Sequence, residues 1–253
     1  NSLHVKKATE SYHIGEAAPA KSYLNQEKIL EVMLSSGTDA VHPGYGFLSE
    51  NDDFARLCEK NKINFIGPSA DSMNLCGDKM RCKEAMLKAK VPTVPGGPGL
   101  VKDADEAEKI ANEIGYPVML KSVYGGGGRG IRIVNTDQEL QDGYETVTAE
   151  SIAAVGKSAI IVEKFLEKTR HIEYQMCRDH HGNAVHLFER ECSIQRRNQK
   201  LIEQTPSPVV DEAKREEIGE LVVKAAQAVD YTNLGTAEFL RADSGEFYFI
   251  EIN

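Results

Sequence analysis

Along the first third of the chain, apolar positions alternate between helical spacing and short unbroken runs, the pattern of an α/β layer. Ile29, Leu30, Met33 and Leu34 form a helical stripe that Asn25 can cap and Gly37 can end. Residues 39–41 read as a short strand, 50–61 as a helix, and 63–66 as a strand stopped by Gly67-Pro68. Residues 67–93 read as helical with Asp78 as a cap, and Pro92, Pro95, Gly96, Gly97 and Pro98 mark a linker. Beyond it the pattern predicts a helix over 103–115, a strand over 117–122, a glycine run, and a strand over 131–134. Thr136 and Glu139 then form a capping-box pair opening a helix, followed by a strand at 159–163. The last third predicts a hairpin with strands at 171–178 and 184–194, a helix over 211–230 and a closing hairpin over 235–253. The expected organisation is mixed α/β and α+β: a partial doubly wound domain (1–66), a helical linker (67–93), a lid carrying the glycine run (94–165) and an antiparallel-sheet domain (166–253).

Composition narrows the function. The chain has 253 residues, 41% of them hydrophobic, enough for domains with cores. A net charge of −9 argues against a nucleic-acid or anionic-lipid surface and favours small-molecule chemistry. The five cysteines contain no C-x-x-C pair, so neither a disulfide framework nor a zinc site is expected, and a reducing, cytoplasmic setting is. No apolar run is long enough for a membrane span and no basic-then-apolar leader opens the chain. The chain starts without Met and stops at Asn253 inside a motif, so we expect a fragment of a longer protein.

Gly125, Gly126, Gly127 and Gly128, with Arg129 and Gly130, cannot sit comfortably within a helix or strand and must form a loop. Flanking strands make it a hairpin flap whose bare N–H groups suit polyphosphate, with Arg129 adding charge; a ligand-free hairpin tip fits the glycines equally well. The G-x-G-x-x-G spacing is not a Rossmann fingerprint, because residues 131–134 continue as a strand, and no Gly-Lys-Ser/Thr follows for a P-loop. Lys121, on the apolar strand before the flap, needs a counter-charge that a nucleotide would supply.

In the closing hairpin, placing Ser244-Gly245 at the tip sets position 242 opposite 247, 240 opposite 249 and Glu238 opposite Glu251. Like charges directly opposed are destabilising and call for compensation. Asn253 shares the face of Glu251, giving two carboxylates and an amide, hard oxygen ligands suited to Mg²⁺. Leu240, Phe247 and Phe249 are expected on that same face; a solvated face with lysine partners is the alternative. The polar stretch 189–200, with Arg196, Arg197 and Lys200, suits an anion such as bicarbonate or phosphate, although any one of these residues also fits a solvated surface strand. His171 opens a strand, and His180 and His181 fall in a turn where solvent exposure is expected.

These pieces come in a familiar order. His42-Pro43-Gly44-Tyr45-Gly46-Phe47-Leu48-Ser49-Glu50-Asn51, Phe65-Ile66-Gly67-Pro68, Gly77-Asp78-Lys79, the glycine flap, Glu163-Lys164-Phe165-Leu166-Glu167, Arg170-His171-Ile172-Glu173, Cys192-Ser193-Ile194-Gln195-Arg196-Arg197 and Phe249-Ile250-Glu251-Ile252-Asn253 together resemble the biotin carboxylase family. The resemblance implies an ATP-grasp fold and a ligase that uses ATP, Mg²⁺ (or Mn²⁺) and bicarbonate to carboxylate biotin on a carrier domain. It further implies a carboxyltransferase component as partner, a homodimer, and a mitochondrial matrix location if the source is eukaryotic. By position, Lys79, Lys121 and the flap (Gly125 to Gly130, with Arg129) resemble phosphate and nucleotide contacts, and Glu163, Lys164 and Leu166 lie along the adenine. His171 and Gln195 are similar to residues near ribose or substrate, and Tyr45 to one in a loop near biotin. Glu238, Glu251 and Asn253 resemble the metal ligands, and Lys200 the bicarbonate lysine, so that Lys200, Glu238 and Glu251 are the implied catalytic set. Asn198 departs from the family's usual histidine, and the family's next arginine and glutamate lie past Asn253, so the chain as given is not expected to complete carboxylation. Another ATP-grasp ligase, such as a carbamoyl-phosphate synthetase or purine-pathway carboxylase, or a nucleotide-binding module without chemistry, would share the flap and the acid pair. A protein kinase would not, since no H-R-D or D-F-G sequence is present.

Overall fold

The computed structural model describes residues 2–123, 130–197 and 199–253. Its amino-terminal part contains α1 (Leu3–Lys7), α2 (Gln26–Ser35), β1 (Ala40–Val41), α3 (Asp52–Lys60) and β2 (Asn64–Phe65). The Asn25 carboxamide accepts the Lys28 N–H at 3.0 Å and opens α2. Asn51 does the same for α3, accepting the Phe54 N–H at 2.8 Å, so this helix begins at Asp52 rather than at the predicted Glu50. Strands β1 and β2 pair in parallel, which requires the crossover that α3 provides, around a core of Met33, Leu48, Phe54, Cys58 and Ile63. The stretch predicted as helical over 67–93 is two helices, α4 (Ala70–Gly77) and α5 (Lys79–Lys88). Asp78 breaks them with an extended backbone, and its carboxylate caps α5 by accepting the N–H groups of Met80 and Arg81, both at 3.1 Å.

The middle unit holds α6 (Ala104–Ile114), β3 (Val118–Ser122), β4 (Ile131–Val134), α7 (Asp137–Val155) and β5 (Ile160–Lys164). Its antiparallel sheet runs β4-β3-β5 and buries Val118, Leu120 and Val162 against Ala107, Ile110, Leu140 and Val147 of the helices. The capping-box expectation is met differently here: Thr136 makes no side-chain cap, while Glu139 accepts the N–H of Asn135 at 2.9 Å.

The last unit contains β6 (Arg170–Arg178), β7 (Ala184–Arg196), β8 (Gln199–Gln204), α8 (Glu212–Ala228), β9 (Asn233–Arg241) and β10 (Phe247–Ile252), in sheet order β10-β9-β6-β7-β8, all antiparallel. Helices α8 and α5 cover one face, where Ile172, Tyr174, Met176, Ala237, Phe239, Phe247, Phe249 and Ile252 meet Met86, Ile218, Val222 and Ala225. By the two-residue period, His171, Glu173, Gln175 and Glu238 point from the opposite face.

The closing hairpin departs from its predicted register. Ala242 donates to Glu246 O at 2.8 Å, leaving a three-residue loop in which Gly245 takes a φ of 96°. Phe247 therefore faces Arg241 and Phe249 faces Phe239, and a bulge between Phe249 and Glu251 brings Glu251 opposite Glu238. The bulge also corrects the face assignment: Phe247 and Phe249, expected beside the acids, are buried at 4% and 3% exposure on the helix-covered side.

Candidate active site

Three carboxylates line up across the open face of the five-stranded sheet, because Glu173 of β6 pairs with Glu238 of β9, which pairs with Glu251 of β10. Such a row would repel itself without cations. Lys200 of β8 supplies one, donating to Glu238 Oε1 at 2.6 Å and also to Glu173. Arg190 of β7 holds Glu173 Oε1 through Nε at 2.5 Å and Gln175 through a second nitrogen at 3.1 Å. His171 Nε2 lies 2.6 Å from Glu238 Oε2, and its Nδ1 lies 3.0 Å from the Gln195 amide, which also donates to Cys192 O at 2.8 Å. The Asn253 amide donates to Glu238 Oε1 at 2.8 Å.

The titration behaviour follows from this packing. Burial raises the Glu238 carboxyl, but the His171 and Lys200 contacts outweigh it and hold the group down at about 2. For Lys200, burial acts to lower the ammonium pKa, while its bonds to Glu173 and Glu238 overcome that and raise it. Both groups stay charged at neutral pH. Glu173 and Arg190 were absent from the expected site; the one available signal was the Arg170-His171-Ile172-Glu173 run, since a glutamate alternating with apolar residues on a central strand needs partners.

A second polar centre sits on the three-stranded sheet. Glu163 of β5, 9% exposed, takes Lys121 of β3 on Oε2 and Lys83 of α5 on Oε1, each at 2.7 Å. The counter-charge that Lys121 requires is therefore Glu163, two positions along from its cross-strand partner Ile161. Burial raises the Glu163 carboxyl, and the two lysines more than reverse this, so it lies below the usual range. Lys164 donates to the carbonyls of Gly115 and Tyr116, both at 2.8 Å, closing the end of α6, so its ammonium is already engaged.

A cavity of about 190 Å³ opens where α5 begins, lined among others by Glu50, Cys76, Lys79, Glu251 and Asn253. It brings Lys79 next to the acid row. The Glu251 carboxylate forms no hydrogen bond or ion pair among the described residues, and together with Glu238 and the Asn253 amide it gives an oxygen donor set that fits a hard divalent cation. Leu166 is half-buried just past β5, and Tyr45 is 93% exposed on its loop, edge-on to His42 at 6.3 Å. Gly130, with a φ of 69°, closes the β3–β4 connection by accepting the Ser122 N–H at 2.8 Å. Gly125, Gly126, Gly127, Gly128, Arg129 and Asn198 lie outside the described residues. The structure thus gathers Lys200, His171, Gln195, Glu238, Glu251 and Asn253 on one face, sets Lys79 beside them, and places Lys121 and Glu163 on the neighbouring sheet.

Comparison with known proteins gives the same picture. Residues 1–73 match the family described as biotin carboxylase, N-terminal domain, and residues 78–253 match carbamoyl-phosphate synthase L chain, ATP binding domain. The chain is 51% identical over its whole length to a biotin carboxylase of Nostoc sp., covering 57% of that protein. It is 52% identical over 99% of its length to the 2-oxoglutarate carboxylase small subunit of Hydrogenobacter thermophilus, covering 53% of that subunit. Among solved structures, the biotin carboxylase of Campylobacter jejuni in complex with β,γ-ATP superposes with a TM-score of 0.88 at 45% identity, over 99% of this chain and 56% of that one. The biotin carboxylase domain dimer of the Hydrogenobacter enzyme, bound to MgADP, ADP and bicarbonate, superposes with a TM-score of 0.85 at 52% identity, over 99% of this chain and 55% of that one. The chain spans about half the length of these relatives. With two family segments matched in order and half its residues shared with named relatives, this chain belongs to the biotin carboxylase family of ATP-grasp proteins.

Proposed function

We propose that this chain supplies the nucleotide, metal and bicarbonate surface of an enzyme that carboxylates biotin on a carrier domain at the expense of ATP. The observation that carries the reading is the row Glu173, Glu238 and Glu251 with Lys200 and His171 clamped on Glu238. It joins an oxygen-donor site to a fixed cation on a preorganised face, as phosphoryl transfer requires. In the reaction, an oxygen of bicarbonate attacks the γ-phosphorus and ADP leaves. The carboxyphosphate so formed breaks down beside biotin into CO₂ and phosphate; the phosphate takes the proton of the ureido N–H, and the nitrogen forms a bond to the CO₂ carbon.

The residues divide this work by position. Lys79 and Lys121, together with Gly125 to Gly128, Arg129 and Gly130, hold the phosphates, while Glu163, Lys164 and Leu166 run along the adenine; for Lys164 the contact is left to its backbone and stem, since its ammonium caps α6. His171 and Gln195 lie near the ribose or the substrate, and Lys200 binds bicarbonate through an ammonium kept charged by its two glutamates. Glu238, Glu251 and Asn253 hold Mg²⁺ (or Mn²⁺), which when bound neutralises phosphate charge. The loop of Tyr45 faces biotin. We read 1–66, 67–93, 94–165 and 166–253 as the functional units, with a biotin carrier domain, a carboxyltransferase component and a second copy of the chain as partners. Eukaryotic relatives include mitochondrial carboxylase subunits and a chloroplastic biotin carboxylase, so our reading is a cytoplasmic location in a bacterium and an organellar one, such as the mitochondrial matrix, in a eukaryote. Among the described residues, no helix is long and apolar enough to cross a membrane.

The test is ADP release by the full protein carrying this segment. It should require bicarbonate and rise on addition of biotin. ATP binding without such turnover would assign a non-catalytic module instead, and stimulation by ammonia rather than biotin would assign a carbamoyl-phosphate type of ligase. The match of residues 1–73 to a biotin carboxylase domain favours the biotin reading over that last one.

A further inference from the structure

Lys83 belongs to no motif singled out in the sequence, yet its ammonium is half-enclosed, with 20% side-chain exposure, and reaches across to another sheet. It takes Glu163 Oε1 at 2.7 Å, while Lys121 takes Oε2 at the same distance. Each carboxylate oxygen therefore serves one lysine. This division has two consequences. Lys121 is confined to one edge of the carboxylate, which leaves its remaining N–H donors turned away from Glu163. The trio also carries one surplus positive charge, whereas Lys121 and Glu163 alone would be neutral. Lys83 comes from α5, the helix whose first residue is Lys79, so the same helix bears on both cation positions of the phosphate region.

We propose that Lys83 is a positioning residue for the nucleotide: by occupying one oxygen of Glu163 it fixes Lys121 and leaves the trio a net positive charge toward the phosphates of ATP. The inference rests on the ATP-binding reading above. Lys83 itself need touch no phosphate, because its effect travels through the shared carboxylate.

The experiment compares K83M, K83Q and K83R in the full protein, with circular dichroism confirming the fold of each. The readouts are the KM for MgATP, the KM for bicarbonate and kcat, at low and high salt. K83M and K83Q both remove the charge, and each should raise the MgATP KM about tenfold at low ionic strength, less at high salt, with kcat and the bicarbonate KM held within about twofold. K83R keeps the charge and should restore the MgATP KM to within about twofold. An unchanged MgATP KM in both neutral variants, or K83R as impaired as K83M, would overturn the proposal and reduce the contact to a tie between helix and sheet. If the unsubstituted protein binds no ATP in calorimetry, the nucleotide reading fails first and this inference with it, a result distinct from any variant effect.

Discussion

On the Glu238 carboxylate three groups converge, the ammonium of Lys200, the imidazole of His171 and the amide of Asn253. Burial raises the acid, and the pull of His171 and Lys200 more than reverses this and holds it at about 2, against 4.5 for an unperturbed glutamate. A carboxyl whose folded pKa lies below its unfolded value stabilises the fold fully above the unfolded value. That contribution is lost as pH falls from 4.5 toward 2, and by the size of the shift it is on the order of 3 kcal/mol. The unfolding free energy of the protein should therefore fall between roughly pH 5 and 2, and Glu238→Gln should flatten that fall, as read by urea titration at each pH. An equal slope in the variant would mean that other carboxylates carry the acid sensitivity. The pairing of Glu238 with Glu251 expected from the sequence is present, but not by the expected register: the loop has three residues instead of two, and the bulge between Phe249 and Glu251 restores the pair. Glu173 and Lys83 were not legible in the sequence, because their partners lie 27 and 80 positions away and no local pattern encodes a contact made only by folding.

Between elements, a second buried ion pair pins α8 to the sheet. Glu189 of β7 is 1% exposed and takes Arg215 of α8 in a fork, through Nε at 2.7 Å and a terminal nitrogen at 2.8 Å, while the Ser207 N–H adds a third bond at 3.0 Å. Removing one partner strands a charge in the interior, so Arg215→Met should cost about 3–5 kcal/mol in chemical denaturation, whereas the double variant Glu189→Leu with Arg215→Met should recover much of that loss. A small cost for the single variant would show that water reaches the pair. The sequence disclosed α8 and β7 through their periodicity but hid β8. In β8 the residues Gln199, Leu201, Ile202, Glu203 and Gln204 are all exposed, so no apolar alternation marks it, and only its pairing with β7 makes it a strand. The hairpin of β9 and β10 erred in the other direction. Its glycine signalled a turn correctly, but the loop length and the compensating bulge depend on Phe247 and Phe249 seeking the core, which turn chemistry alone does not specify.

At the scale of the whole chain, the two polar centres belong to different sheets, and the segment between them is what sets their separation. The Phe249 N–H donates to Pro92 O at 2.7 Å and the Lys164 N–H donates to Pro95 O at 2.7 Å. Thr93 thus pairs with Phe249 on β10, the strand of Glu251, and Gly96 with Glu163 on the lysine-bearing sheet. Three backbone steps span at most about 11 Å, so this stitch keeps the acid row and the Glu163 trio within reach of a single extended ligand. Gly96 is where the stitch is tightest. A Cβ there would stand 2.6 Å from Val162 O and 3.1 Å from Glu163 Cγ, and that carbonyl, which belongs to β5 backbone and accepts the Gly97 N–H at 3.0 Å, cannot swing aside as a side chain can. Gly96→Ala should therefore displace the linker, costing about 1–3 kcal/mol in unfolding and raising the MgATP KM, because Glu163 moves with its backbone. Gly99 in the same linker offers the control, since an added Cβ meets nothing nearer than Met80 Cε at 3.9 Å. Gly99→Ala should stay within about 0.5 kcal/mol of the parent and leave the MgATP KM unchanged. If the two alanine variants prove indistinguishable in stability and in nucleotide affinity, the stitch does not govern the spacing of the two centres, and helix α5, which bonds Glu163 through Lys83 and lines the cavity of Glu251 through Lys79, must set it alone.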